Sequence, residues 1–513
     1  MAISIQSRTR VFPESYGQSI HAKTEPLSIL DATVLNFATS GCVLFYAYIL
    51  DEDRLLTSLR KTLDAYPQWA GQLKFSKYSP EAGHGQRQGR LELSYNSAAD
   101  PGIECIMASC DSPLSSIIPP TDAKGTWDAT NIDYRAFLNM ETPFGLNETT
   151  HLAGVPAMKV QFTSFNTPGF AIAIGLLHPL ADAQTLLHFA HSWAATNRAL
   201  SKSSPIPMLH PMFSPSALDA RAAGNIDGPN ADPSTFKKAR ELPLHRYDYW
   251  ASAPTAPKWA LPKCKIPPEL NIAETSLEMG PQIPWNTWKM EAPVSHTNFF
   301  YSAAETHAIY LHASANTTVR ISHQDAVLAY VWAALTRARG LEEGEEHFLD
   351  VSVDVRRRLN PPLPPSFIGS PIINAACPST AFVSTKLSDI AQDVGRKAAS
   401  IRNTIMKFDA DSTACLLHEL AFELGAQRRW NCFLADYHVI ATSWIGIGLG
   451  DVVFEEGVRS LWVEALLPPV SYGSQSVFFI RDNFMSCETY LKGNRFPDTC
   501  HESGPCLQAS KLK

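Results

Sequence analysis

A histidine and an aspartate stand four positions apart at the end of an apolar run, Ala171-Ile-Ala-Ile-Gly-Leu-Leu-His178-Pro-Leu-Ala-Asp182. Imidazole, with an ordinary pKa of about 6.5, can take and return a proton at neutral pH, so a rigidly mounted histidine is a candidate general base. The run before His178 is almost continuously apolar, the pattern of a strand buried on both faces. After Asp182, Leu186, Phe189, Ala190, Trp193 and Ala194 recur at helical spacing, which predicts a helix with one core face. His178 and Asp182 therefore bracket a tight strand-to-helix turn, a stiff platform for a catalytic side chain. Plainer roles fit the same residues. Asp182 is placed to cap the helix by accepting a backbone N–H of its first turn, and a histidine before proline at a strand end could be a satisfied core residue.

The other chemistry-bearing patterns fail on spacing. His418-Glu419-Leu-Ala-Phe422 begins like a zinc-protease helix but has Phe422 where the second histidine belongs. Gly446-Ile-Gly448-Leu-Gly450 lacks the spacing and following helix of a dinucleotide loop. No Walker-type loop, serine-hydrolase elbow or Cys/His zinc spacing occurs. His188 and His191 have no third ligand, so no metal is expected.

The 513 residues suggest two to four domains at roughly 100–200 residues each. The 43 basic and 50 acidic side chains leave a formal charge of −7, against a nucleic-acid partner and against a polybasic membrane anchor. The N-terminus has no secretory pattern, and the longest apolar stretch, residues 169–177, is too short for the ~20 residues of a membrane helix. The ten cysteines include no CxxC pair and read as reduced, mostly buried thiols. The triplets at Asn147 and Asn316 are then chance matches to the glycosylation pattern, and the expectation is a cytoplasmic protein.

The elements that must hold the histidine alternate between strand and helix. Leu55, Leu56, Leu59 and Leu63 predict a helix stopped by Tyr66-Pro67. A second helix is predicted from about His323 to Arg339, with Ser322 and Asp325 as a capping box and Gly340 as its left-handed end. Strands are expected at residues 42–50, 158–162, 170–177, 307–312, 348–355, 439–444 and 476–481, an α/β architecture. Residues 201–300 hold 15 of the 37 prolines, interleaved with Tyr247, Tyr249, Trp250, Trp259, Trp285 and Trp288. So many aromatics would not be left in solvent. The segment reads as a long connection packed across the body, the alternative being a lid over an active site.

His178-Pro-Leu-Ala-Asp182 is similar to the HxxxD motif of the BAHD acyltransferases, CoA-dependent enzymes, and further blocks follow in the family's order. Leu27-Ser-Ile-Leu-Asp31 resembles its LSxxD, and residues 59–73, ending Tyr66-Pro-Gln-Trp-Ala-Gly-Gln-Leu73, its next block. Residues 325–332 resemble the helix before its arginine strand. Asp354-Val-Arg356-Arg-Arg358-Leu-Asn-Pro361-Pro-Leu-Pro-Pro-Ser-Phe-Ile-Gly369 resembles D.R.Rl.PpLP..y.Gn, and Thr442-Ser-Trp444 its TSW. Coverage runs from about residue 27 to 480. Where the family has DFGWG, a structural motif, this chain has Val453-Phe-Glu-Glu-Gly457. The spacing from His178 to that block is long, and both features resemble fungal members, the trichothecene 3-O-acetyltransferases among them.

The resemblance implies an α/β fold of two similar chloramphenicol-acetyltransferase-like domains, with mixed sheets flanked by helices and an active-site channel at the domain interface. The domains would be 1–205 and 301–513, joined by a crossover at 206–300, with a segment exchange possible near 445–472. It implies transfer of an acyl group, acetyl first, from acyl-CoA to a hydroxyl, or less readily an amine, of a small hydrophobic secondary metabolite. His178 would be the base and would act without a covalent acyl-enzyme. Asp182 would point away and pair with Arg356, and Thr442 or Trp444 would stabilise the oxyanion. Acyl-CoA would be a co-substrate, with no permanent cofactor, in a monomer. The alternatives are a non-catalytic member of the fold, a condensation-type enzyme, whose flanking marks are missing at Leu177 and Ala183, and a thioester hydrolase.

Overall fold

A computed structural model describes residues 1–466, except 19–20, 80, 121–122, 140–151, 271–276, 291, 385 and 434, together with the backbone of Ser476–Arg481 and Phe484–Thr489. Two mixed sheets dominate. In the first, Ile3–Val11, Ile103–Cys110, Met158–Phe165, Phe170–Leu176, Ser40–Tyr46 and Trp462–Ala465 lie side by side, with one parallel pair, Ile103–Cys110 with Met158–Phe165. In the second the order is Ile372–Thr380, Glu346–Asp354, His438–Ser443, Ser476–Arg481, Phe484–Thr489, Ser295–Phe300 and Gly125–Asp128. Each half lends the other an edge strand: Trp462–Ala465 pairs with Ser40–Tyr46, and Gly125–Asp128 pairs with Ser295–Phe300. The two sheets thus exchange strands in both directions, Trp462–Ala465 joining the first and Gly125–Asp128 the second.

Phe170–Leu176 is buried at all seven positions because a helix layer covers one face and a second core cluster the other. Ala183–Ser201 and Glu52–Leu63 form the helix layer, joined where the Trp193 indole N–H donates to Ser58 Oγ at 2.9 Å. His323–Arg339 has its Ser322/Asp325 capping box and a left-handed Gly340 at φ 66°, and it is buried along most of its length. The expected strand at 307–312 is instead part of the helix Ala303–Ala315. Ser302 and Glu305 close a capping box there, and Ile309 and Ala313 are its buried residues, so the cap and an i, i+4 face override a short apolar run. The other expected strands form, with ends displaced by a few residues.

The Pro-rich connection packs on both halves, Asp219 accepting the Ile29 N–H at 2.9 Å on the first. Tyr247–Asp248 pairs with Arg429–Trp430, and Trp285 and Trp288 close on Phe433 at ring distances of 5.7 and 5.5 Å. None of its described residues lines the main crevice. The seven described cysteines are free and buried. No helix among the described residues is long and apolar enough to cross a membrane.

Candidate active site

The strand ending at Leu176 runs into a single turn of 3-10 helix, His178–Leu180, and Asp182 then caps Ala183–Ser201 by accepting the Thr185 N–H at 2.9 Å. This turn faces the second sheet. Arg356, in the turn after Glu346–Asp354, reaches across the junction and clamps Asp182: Nη1 donates to Oδ2 at 2.5 Å and Nη2 to Oδ1 at 3.0 Å. The guanidinium also donates to Thr185 Oγ1 (2.9 Å), Asp354 Oδ1 (3.1 Å) and the Phe367 carbonyl (3.2 Å). It is 1% exposed. Burial opposes its charge, but Asp182 and Asp354 outweigh that and raise its pKa above the ordinary value. Both Asp182 oxygens are spent on this clamp and the cap rather than on His178.

His178 is half-buried on a crevice of about 490 Å³ between the halves. The first half contributes residues 37–41 and the His178 turn, the second contributes 351–354, 440, 442–445 and 447, and the exchanged strand adds Ala465. Thr442 and Trp444 line the same crevice as His178, Thr442 half-buried and Trp444 buried. The wall also carries Arg358, bonded to the Ile405 and Phe408 carbonyls, and Arg402, paired with Asp325. The ring of Phe37 meets the imidazole edge-on at 5.5 Å. Burial lowers the His178 pKa to about 4, with Asp182 and a backbone hydrogen bond pulling the other way. This corrects the expectation of a value near 6.5: neighbours drawn from both halves desolvate the ring. The imidazole is therefore neutral throughout the physiological range.

Sequence reasoning missed the group on the other side of the ring. Ser370 Oγ lies 3.0 Å from His178 Nδ1. A serine after Gly369 has no periodicity or charge to mark it. The histidines set aside as ligands have ordinary partners: His188 meets the Tyr66 hydroxyl, His191 the Gly448 carbonyl, and His418 the Ala223 carbonyl and the Asp232 N–H. Among the described residues, no three His, Cys, Asp or Glu side chains are grouped to hold a metal ion.

The altered Val453–Gly457 block keeps two of its features at work. The buried Phe454 ring packs on Trp193 at 4.8 Å, its carbonyl accepts from Asn197 at 2.9 Å, and Gly457 has φ 74°. Asn197 is fifteen residues along the helix from Asp182, roughly 22 Å at 1.5 Å per residue. The block braces the far end of the helix whose near end carries the turn.

Two mixed sheets that exchange edge strands around a histidine-lined crevice define the two-domain acyltransferase fold. The pattern defining the Transferase family, the BAHD acyltransferases, matches residues 1–480, and the chain belongs to that family. It is an acyltransferase, from a family that uses acyl-CoA as co-substrate. Acyltransferase AFT15-1 of Alternaria alternata is 26% identical over 72% of this chain and 68% of its own length. Acyltransferase abl6 of Leptosphaeria maculans is 28% identical over 73% and 70%. Among solved structures, vinorine synthase matches 99% of this chain and 98% of its own with a TM-score of 0.59 and 16% identity. F. graminearum TRI101 complexed with ethyl coenzyme A matches 95% and 99% with a TM-score of 0.60 and 14% identity. These two likenesses establish the fold.

Proposed function

We propose that the protein moves an acyl group, acetyl in the first instance, from CoA to a hydroxyl, or less readily an amine, of a small hydrophobic metabolite, with His178 as the general base. The acceptor O–H gives its proton to His178 Nε2 as its oxygen bonds to the thioester carbonyl carbon. The C–S bond breaks, and the imidazolium returns the proton to the thiolate, releasing the ester and free CoA. No acyl-enzyme forms. Thr442 Oγ and the Trp444 indole are the proposed donors to the carbonyl oxygen as it becomes negative. Asp182 and Arg356 hold the turn. The observation that carries this reading is the position of His178 on a crevice walled by both halves and shared with Thr442 and Trp444. The apolar stretch Phe37, Val351, Ile440, Ile445 and Ile447 supports a hydrophobic acceptor. We further propose a cytoplasmic monomer in which 1–205 and 301–513 act as the two catalytic halves and 206–300 as their connection. The altered 453–457 block does not favour a non-catalytic reading, because it braces the helix end remote from the crevice.

The test is release of free CoA thiol from acetyl-CoA with a panel of hydrophobic alcohols and amines. Acceptor-dependent release is expected, falling by about 10²- to 10⁴-fold in His178→Ala. Release no greater than the hydrolysis blank, or a His178→Ala variant equal to the parent, overturns the reading. Acceptor-independent release would make the protein a hydrolase.

A further inference from the structure

Ser370 is fully buried in a short strap whose backbone is held from three directions. The Ser370 N–H donates to Asp31 Oδ1 at 2.7 Å. The Gly369 carbonyl accepts from the Asp182 N–H at 3.1 Å and from Thr185 Oγ1 at 2.8 Å. The Ser370 carbonyl accepts the Ile372 N–H at 2.8 Å. Asp31 is itself fixed, since its Oδ2 accepts the Ser28 N–H at 3.0 Å and the Ser28 hydroxyl at 2.6 Å within the capping box of Ile29–Thr33. Gly369 sits at φ 149°, and a Cβ there would lie 3.3 Å from Asp31 Oδ1, so the strap passes hard against the aspartate. So many bonds converging on two residues leave the serine hydroxyl little freedom. The place it occupies is 3.0 Å from His178 Nδ1.

A neutral imidazole carries one proton on two nitrogens, and the partner of one nitrogen decides which of them keeps a lone pair. A base working through Nε2 needs the proton on Nδ1, hence an acceptor there. In serine-protease triads a carboxylate does this. Here the nearby carboxylate, Asp182, is spent on Arg356 and the helix cap. Beside the hydrogen bond the ring makes to its own backbone, the side-chain acceptor that stands against Nδ1 is the Ser370 hydroxyl oxygen, at 3.0 Å. We propose that Ser370 is the positioning residue of His178: its Oγ accepts Nδ1–H, fixing the ring orientation and the tautomer whose Nε2 lone pair faces the acceptor. The Asp31 box and the Thr185 contacts hold Ser370 in that place, which gives the N-terminal Leu27–Asp31 block a role at the catalytic ring. This inference rests on the reading of His178 as the base.

The experiment pairs nitrogen-15 NMR of histidine-labelled protein with steady-state kinetics. In the parent at pH 7 the His178 ring is expected to show a protonated Nδ1 and an unprotonated Nε2. Ser370→Ala is expected to show mixed tautomers, an unchanged KM for acetyl-CoA and a kcat lower by about 10- to 100-fold, the usual range for losing a residue that orients a functional ligand. Ser370→Thr, which keeps the hydroxyl, is expected to recover most of the loss. A parent ring protonated on Nε2 overturns the proposal, and that measurement does not depend on any variant folding. So does a Ser370→Ala enzyme within twofold of the parent in kcat when His178→Ala is inactive, a result that leaves the base intact. A His178→Ala enzyme as active as the parent removes the base reading itself.

Discussion

Removing the Asp182 carboxylate should cost far more in stability than in chemistry. Its two oxygens serve the helix N-cap and the Arg356 clamp, which is 1% exposed. Losing a cap costs about 1 kcal/mol, and leaving a buried cation without its partner costs roughly 3–5 kcal/mol. Asp182→Ala suffers both, which sets an upper figure of about 4–6 kcal/mol because Asp354, at 3.1 Å, still holds Arg356. Asp182→Asn keeps the cap and loses only the charge, so it should lie about 1 kcal/mol above the alanine variant. At roughly 2–4 °C per kcal/mol for a unit of 150–250 residues, the first unfolding transition of Asp182→Ala should fall by about 10 °C. The decisive arm is the double variant Asp182→Asn with Arg356→Met. Replacing a buried pair by apolar bulk is often neutral, whereas orphaning one partner is not. Differential scanning calorimetry of the parent, the two Asp182 variants, Arg356→Met and the double variant should show the double variant recovering most of the loss. An alanine variant melting within 2 °C of the parent, or a double variant as unstable as both single losses together, refutes the reasoning. Activity measured well below the transition should survive better in Asp182→Asn than in His178→Ala.

Two further outcomes follow from the crevice. Thr442→Val and Trp444→Phe should lower kcat with KM for acetyl-CoA little changed, and whichever donates to the oxyanion should lose about 10²- to 10³-fold; two variants both at parental kcat would clear this wall of that role. The folded-state pKa of His178, about 4, lies below the ordinary value, so its working neutral form persists as pH falls until that value is reached. A profile of kcat/KM against pH should therefore stay level from pH 8 to about 5 as far as this ring is concerned, and an acid limb centred near 6.5 would show a far more solvated imidazole.

The turn that carries the site was legible because the hydrophobic period changes within a few residues. A continuous apolar run gives way to 3.6-residue spacing at Asp182, and both the strand Phe170–Leu176 and the cap on Ala183–Ser201 follow from that change. The partnership of Asp182 with Arg356 was not legible in this way. The two are 174 residues apart, and only the ordered blocks of the family resemblance brought them together. Ser370 was invisible for a related reason: a single hydroxyl acquires meaning only when Asp31, Thr185 and His178, from three distant stretches, converge on it. The 303–315 helix was misread because six mostly apolar residues carry little period, and the signal lay in Ser302 and Glu305 just upstream of them. The basicity of His178 is a tertiary property, set by how much of the second half covers the ring, and no local pattern encodes it.

That low basicity constrains how the proposed transfer proceeds. An aliphatic hydroxyl is about as acidic as water, pKa near 15.7, so a base of pKa about 4 would have to carry the proton some twelve pK units uphill to make a free alkoxide. At 1.36 kcal/mol per unit that is about 16 kcal/mol, already the whole barrier of a reaction turning over at about 10 s⁻¹. On the proposed route the proton therefore moves while the carbon–oxygen bond forms, with no free alkoxide standing between the two steps. The same number helps the second half of the reaction. An imidazolium of pKa about 4 gives its proton readily to a thiolate, whose ordinary pKa is about 8.5. A ring held neutral by burial and oriented by an uncharged hydroxyl suits a reaction in which the base must never store the charge it receives, because the leaving thiolate takes the proton in the same turnover. A carboxylate at Nδ1 would strengthen the base and slow that return, and here the carboxylate that could have stood there is locked to Arg356.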